Sequence, residues 1–222
     1  MKNIILTILT TISLSASAQS LIGIKGGVSF TNIAGSDFAE SNDSRIGFSG
    51  GLSYEYFLKD NHSISFDLVI NQRGFRNDLI FRDSQGNPTG QKATFEFNYD
   101  YLSIPIKTGI YFGQKIRAFG NIGVVPSILV NAKTMIPAIE ADGTAFPAET
   151  IDITERVNKF DFAGLIEIGV NYKATGKFWL FGSLTYQYSF TSITNADYFE
   201  DSKIRHTGLT LSFGIKYKLQ KA

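Results

Sequence analysis

The sequence predicts an all-β fold, an eight-stranded antiparallel β-barrel that crosses a membrane with its strands. Three observations lead there. Apolar and polar residues alternate with period two over segments longer than ordinary globular strands. The connections between those segments alternate between tight turns and long polar loops. The polar face carries Gly, Ser, Thr, Asn and isolated charges, which cannot fill an apolar core, so the apolar face must meet lipid.

Taken in order, the first residues, MKNIILTILTTISLSASAQS, have a basic start (Lys2), an apolar stretch from Ile4 to Leu14 and the small-residue exit Ala16-Ser17-Ala18. This is the pattern of an export signal of residues 1–18, cleaved after Ala18, and the stretch is too short to cross a bilayer as a helix. Residues 19–222 contain no linker-like composition shift and read as one domain. Eight strands are expected at 21–33, 45–58, 62–76, 94–112, 116–132, 157–173, 177–193 and 203–219. Each exceeds the roughly 9–11 residues that a tilted strand needs to span a bilayer. The last shows the pattern best: Leu209, Leu211, Phe213, Ile215, Tyr217 and Leu219 oppose Thr210, Ser212, Gly214, Lys216 and Lys218.

Tight turns are expected at 59–61, 113–115 and 174–176, and long loops at 34–44, 77–93, 133–156 and 194–202. An even strand count, short turns on the periplasmic rim and long loops on the extracellular rim define the outer-membrane type of barrel. The amino terminus then lies on the periplasmic side, aromatic residues near strand ends form girdles, and the chain is expected to act as a monomer in outer-membrane lipid.

One strand tests this orientation. FNYDYLSIPIKTGIYF, residues 97–112, carries Pro105 and Lys107 inside an apolar run. With Leu102, Ile104, Ile106 and Ile110 towards lipid, both awkward residues face a polar lumen. The proline removes a ladder hydrogen bond, so a bulge or an unpaired carbonyl is expected there. Pro126, on the lipid face, raises the same expectation.

The chain resembles the PorT-like, "porin family" outer-membrane barrels of Bacteroidetes-type bacteria. The resemblance is carried by GIKGGVSFTNI (23–33), GFSGGLSYEYFL (47–58), residues 97–112 and the closing GLTLSFGIKYKL. The most specific piece is Tyr101, Leu102, Ile104, Pro105 and Lys107. The resemblance implies outer-membrane residence and an eight-stranded barrel; one member is linked to protein secretion. Two departures stand out: Phe66-Asp67-Leu68 where relatives tend to have Pro-Glu-Leu, and an end on LQKA rather than a terminal aromatic.

Lys plus Arg balance Asp plus Glu, 21 against 20, so no basic field exists to hold nucleic acid. Cysteine is absent, which removes disulfides, thiolate metal sites, a cysteine nucleophile and a cysteine-borne lipid anchor. No metal motif, phosphate-binding glycine loop or nucleotide fingerprint occurs, and no cofactor is expected.

An eight-stranded lumen is about wide enough for side chains to fill. Lys25, Glu55, Asp67, Lys107, Arg117, Glu167 and Lys216 point inward, with Lys25 level with Glu55 and Asp67 level with Lys107. Buried charges must be paired, so these residues are expected to form a salt-bridged plug; an ion path lined by the same charges is the rival reading. An enzymatic alternative rests on His206, Asp161, Ser189 and Thr191, a His/Asp/hydroxyl set near the loop rim of the kind that supports acyl transfer or hydrolysis. His62, at a turn without ligand neighbours, is ordinary surface. Loop 133–156 is long, acidic and unusually apolar, and is the expected contact for a protein or ligand partner.

Overall fold

The computed structural model describes residues 19–35, 42–82, 85–141, 144–194 and 203–219. The expected export signal, and parts of the expected loops 34–44 and 194–202, lie outside the described residues. The strands are β1 (Gln19–Ala34), β2 (Asn42–Lys59), β3 (His62–Arg82), β4 (Pro88–Ser103), β5 (Ile106–Gly113), β6 (Ile116–Ile136), β7 (Ile139–Ala141), β8 (Thr144–Phe146), β9 (Glu149–Asp152), β10 (Phe160–Lys173), β11 (Phe178–Ser189) and β12 (Arg205–Lys218).

The ladder closes on itself. β1 pairs antiparallel with β2 and β12, and β10 pairs with β6 and β11, so the β12–β1 seam and the β6–β10 pairing complete the ring. β4 and β5 are two halves of one stave, which makes eight. Closure removes the sheet edges that a lipid environment would leave unsatisfied.

The two faces of the wall separate by phase. On β5 and the end of β4, Tyr101, Ser103, Pro105, Lys107 and Tyr111 are buried while Leu102, Ile104, Ile106 and Ile110 are exposed. β12 exposes Leu209, Leu211, Phe213 and Ile215 and buries His206, Ser212 and Lys216. Many exposed aromatics lie in two belts, with Tyr54, Phe112, Tyr172 and Phe178 towards the turn rim and Phe30, Phe48, Phe160 and Phe190 towards the loop rim, and Phe213 between them.

Three expectations about the wall need correction. Pro105 interrupts the strand without a bulge: Val69 faces Ser103 and Phe66 faces Ile106, one continuous register. The Pro105 carbonyl keeps its place in the ladder, accepting from the Asp67 amide at 3.0 Å. Only the bond that its missing N–H would have donated is lost. The Pro126 carbonyl is likewise used, accepting from the Ile104 amide at 2.9 Å. The actual irregularity opposite β6 lies upstream, between Asp100 and Tyr101.

Residues 77–93 are largely strand rather than loop, since β3 and β4 stay paired out to Arg82 and Pro88. The described residues of 133–156 also form regular structure: β6 runs to Ile136, β7 pairs with β8, β9 returns to pair with Lys133–Ile136, and a 3-10 turn spans Thr154–Arg156.

On the turn rim, Gly113 adopts φ +108°, and a Cβ there would stand 2.1 Å from the Ile116 carbonyl oxygen. Glycine is therefore required for the tight β5–β6 turn. Inside the wall, Gly169 leaves room for Phe119, whose ring would lie 2.4 Å from an added Cβ.

Candidate functional site: the lumen and its loop-side mouth

The interior is layered. Next to the turn rim, Leu21, Phe57, Tyr111, Phe119 and Trp179 form an apolar and aromatic cluster. A smaller cluster of Val125, Ala163 and Leu165 lines one wall, and the mouth is packed by Ile33, Phe75, Tyr99, Tyr101, Leu129, Ala132, Val157 and Ile193. The lumen is thus less uniformly polar than the alternation implies; large apolar side chains cap a charged middle.

Two ionic groups occupy that middle. Asp67 Oδ2 accepts from Lys25 Nζ at 2.5 Å and from Lys107 Nζ at 2.9 Å, and Lys107 also donates to Glu167 Oε2 at 2.9 Å. Asn121 Nδ2 adds a bond to Glu167 Oε2 at 2.7 Å. Nearer the turn rim, Glu55 accepts from Lys216 Nζ at 3.0 Å, from Ser63 at 3.0 Å and from the Tyr111 hydroxyl. The Lys216 ammonium also sits 4.6 Å from the Phe181 ring centre, a cation–π contact.

Lys25 therefore meets Asp67 rather than Glu55. On the β1–β2 ladder Lys25 is level with Gly51, while Glu55 is level with Leu21. The stagger of neighbouring strands moves the two charges apart in height, and phase alone does not report it. Arg117 makes no ion pair among the described residues. Its guanidinium lies 5.0 Å from the Phe57 ring and 5.1 Å from the Tyr111 ring and donates to the Asp60 carbonyl.

The histidine set is organised around a residue that the alternation places inward but that carries no motif of its own. Arg73 Nη1 donates to Asp161 Oδ2 at 2.6 Å, and its Nη2 reaches Ser127 at 3.2 Å. Asp161 also accepts from Ser189 at 3.0 Å and Thr191 at 2.7 Å. His206 is not part of this hub: its Nε2 lies 3.3 Å from the Tyr101 hydroxyl, and its ring packs edge-on against Tyr99 and Tyr101. Among the described residues no hydroxyl is hydrogen-bonded to the imidazole apart from that phenol. His62 is exposed at the turn rim, bonded to Asn61.

Beside these groups the free volume is small. About 20 Å³ lies among Lys25, Glu55, Asp67 and Lys107, and about 10 Å³ beside Arg73, Ser189 and His206. Asn71 Oδ1, Arg73 Nε, Gln187 Nε2 and His206 Nδ1, all on residues lining the smaller space, have no hydrogen-bond partner among the described residues. That volume suits a single water molecule. The mouth differs. A cavity of about 350 Å³ opens there between Phe75, Phe97 and Tyr99 on the barrel wall and Ile151, Ile153 and Val157 on the folded-back 149–157 segment. Ile193 and Ile204 close another side, and Arg156 stands at its edge.

A closed antiparallel ring with an apolar exterior, two aromatic belts and a charged interior defines a transmembrane β-barrel of the outer-membrane type. Residues 15–195 match the family described as "Outer membrane protein beta-barrel domain", and the chain belongs to that family, which resides in the bacterial outer membrane. Among solved structures it is similar to Neisserial surface protein A, at 15% identity over 89% of this chain and 97% of that one, with a TM-score of 0.45. It is also similar to a major outer membrane protein from Thermus thermophilus, at 13% identity over 90% and 99% of the two chains, TM-score 0.49. A third likeness is to OprG from Pseudomonas aeruginosa, at 13% identity over 93% and 98%, TM-score 0.45. No curated protein matches the chain.

Proposed function

We propose that this chain is a non-enzymatic outer-membrane barrel whose lumen is closed by its own paired charges and which acts through its loop side. One observation carries the reading. The cations Lys25, Arg73, Lys107 and Lys216 and the carboxylates Glu55, Asp67, Asp161 and Glu167 are equal in number, and each contacts an opposite charge at 3.0 Å or less. A conducting path needs charges available to passing ions, whereas these are used up on one another. The apolar clusters above and below add a barrier to water. The bonding of Ser189 and Thr191 to Asp161 rather than to His206 favours a structural role for the enzymatic candidates.

The Tyr101-Leu102 and Ile104-Pro105-Lys107 piece supports placing the chain with PorT-like members of its family, and residues 1–18 support export through a cleaved signal. Its contacts would be lipid around the wall and a partner or ligand at the 133–156 segment, with the chain acting as a monomer.

Swelling of liposomes that carry the purified barrel tests the closed lumen. In isotonic solutions of small sugars they should swell no faster than protein-free liposomes. Sugar-size-dependent swelling would overturn the reading in favour of a diffusion channel.

A further inference from the structure

The mouth cavity carries more than a general role for the loops. Resting on the loop-side reading above, we infer that it is a binding site for a small molecule with an apolar or aromatic body and an anionic end. The volume, about 350 Å³, falls in the range of small-molecule sites. Its lining is almost wholly apolar, with the stacked Phe75 and Phe97 rings, 4.4 Å between centres, and the Tyr99 ring on one side and Ile151, Ile193 and Ile204 on the others. Such a lining gains by exchanging water for an apolar body.

The polar end is chosen by charge. Arg156, the one formally charged residue lining the cavity among the described residues, is exposed and makes no ion pair with a described residue. Its neighbour Glu155 is engaged instead by Lys159 at 2.9 Å. A guanidinium without an ion pair among the described residues, at the edge of an apolar cavity, offers two parallel hydrogen bonds and selects a carboxylate or sulfonate over a cation or a neutral group.

The backbone behind the site is fixed. β9 pairs with β6 through Ile151–Thr134, and the Ile153 amide donates to the Ala132 carbonyl at 2.9 Å. The 154–156 turn that bears Arg156 is thereby tied to the barrel wall, and Thr154 Oγ1 accepts from the Ala132 amide at 2.9 Å. The cavity is therefore preorganised rather than assembled on binding.

Calorimetric titration of the barrel in phosphatidylcholine nanodiscs tests this, with 1-naphthoate as the anionic probe and 1-naphthalenemethanol as its neutral counterpart. After subtraction of empty nanodiscs, the wild-type chain should bind naphthoate saturably at one site. Ile151→Trp, which fills the cavity, should abolish that binding, and Arg156→Gln should weaken naphthoate about tenfold or more while leaving the alcohol unchanged. If Ile151→Trp fails the boiling-dependent gel shift of a folded barrel, Ile204→Trp takes its place.

Wild-type heats equal to empty nanodiscs would overturn the site, and so would binding that survives the filled cavity. Equal weakening of both probes by Arg156→Gln would overturn the anionic preference. None of these outcomes bears on liposome swelling, so the ligand site and the closed lumen fail independently.

Discussion

The middle of the lumen and its mouth share the barrel wall, to which the mouth adds the folded-back 149–157 segment, yet they solve opposite problems. In the middle, every inward charge named above, Arg117 at the turn rim aside, has an opposite partner, and the residual space is on the scale of one or two waters. At the mouth, the side chains are apolar, ionic pairing is absent from the described residues of the cavity lining, and about 350 Å³ is left between wall and folded-back segment. The difference teaches that the proposed closure and the proposed recognition rest on separate parts of the barrel. A buried ionic layer commits its charges to one another, whereas an apolar hollow with one guanidinium that has no ion pair among the described residues leaves surface and charge for a ligand.

The largest break in that contrast comes from Lys107, which bridges two carboxylates. Lys107→Met takes away the cation between Asp67 and Glu167, and should cost about 3–5 kcal/mol in unfolding by urea from lipid vesicles. Removing Glu167 as well, in a Lys107→Met, Glu167→Met double variant, should restore part of that loss, with a coupling of about 0.5–3 kcal/mol. Strict additivity would mean that the pairing contributes nothing.

A smaller loss is expected on the loop side of the charged layer. Asp161→Asn keeps one acceptor oxygen for the two hydroxyls, Ser189 and Thr191, that bond to different carboxylate oxygens, and leaves Arg73 without its counter-ion, for about 1.5–3 kcal/mol on the same assay. At the mouth the cost should fall further: Phe97→Leu loses the stacking on Phe75 and should cost about 0.5–1.5 kcal/mol beyond area burial. A mouth substitution that destabilised as much as Lys107→Met would erase the contrast between the two regions.

The smallest effect lies outside the membrane, on the β3–β4 hairpin. The hydrogen bond from Lys92 holds the Asp78 carboxyl below its ordinary pKa. A carboxylate depressed in the folded state stabilises above its unfolded pKa and loses that contribution as pH falls through its folded one. Amide protection factors at the paired residues of the β3–β4 hairpin, corrected for the intrinsic pH dependence of exchange, should therefore fall at acidic pH. Lys92 is solvent-exposed and Asp78 half-buried at the surface, so the change should be slight and weaker still at high salt.

Much of the barrel was legible in the sequence. Period two assigns each residue to a face, which is why Lys107 and Pro105 could be read as inward from their neighbours alone. What it does not give is height: Lys25 and Glu55 share a face and not a level, because the stagger between β1 and β2 is a property of closure, not of either strand. Arg73 was equally readable by phase, two residues from Asn71 and four from Val69 on the same inward row, but only the fold brings it to Asp161 across the lumen. The mouth was the least legible part. Pro137 and Pro147 break the strand pattern in 133–156, so that segment reads as a loop, and only long-range pairing of β9 with β6 makes it a wall of the cavity.

Single-channel recording of the purified wild-type barrel in planar bilayers tests the closed lumen most directly. The paired-charge account predicts a flat baseline under applied voltage in molar potassium chloride, with no stepwise openings. Reproducible conductance steps from the wild-type protein, altered in size by Lys107→Met, would contradict it and make the same charges the lining of an ion path.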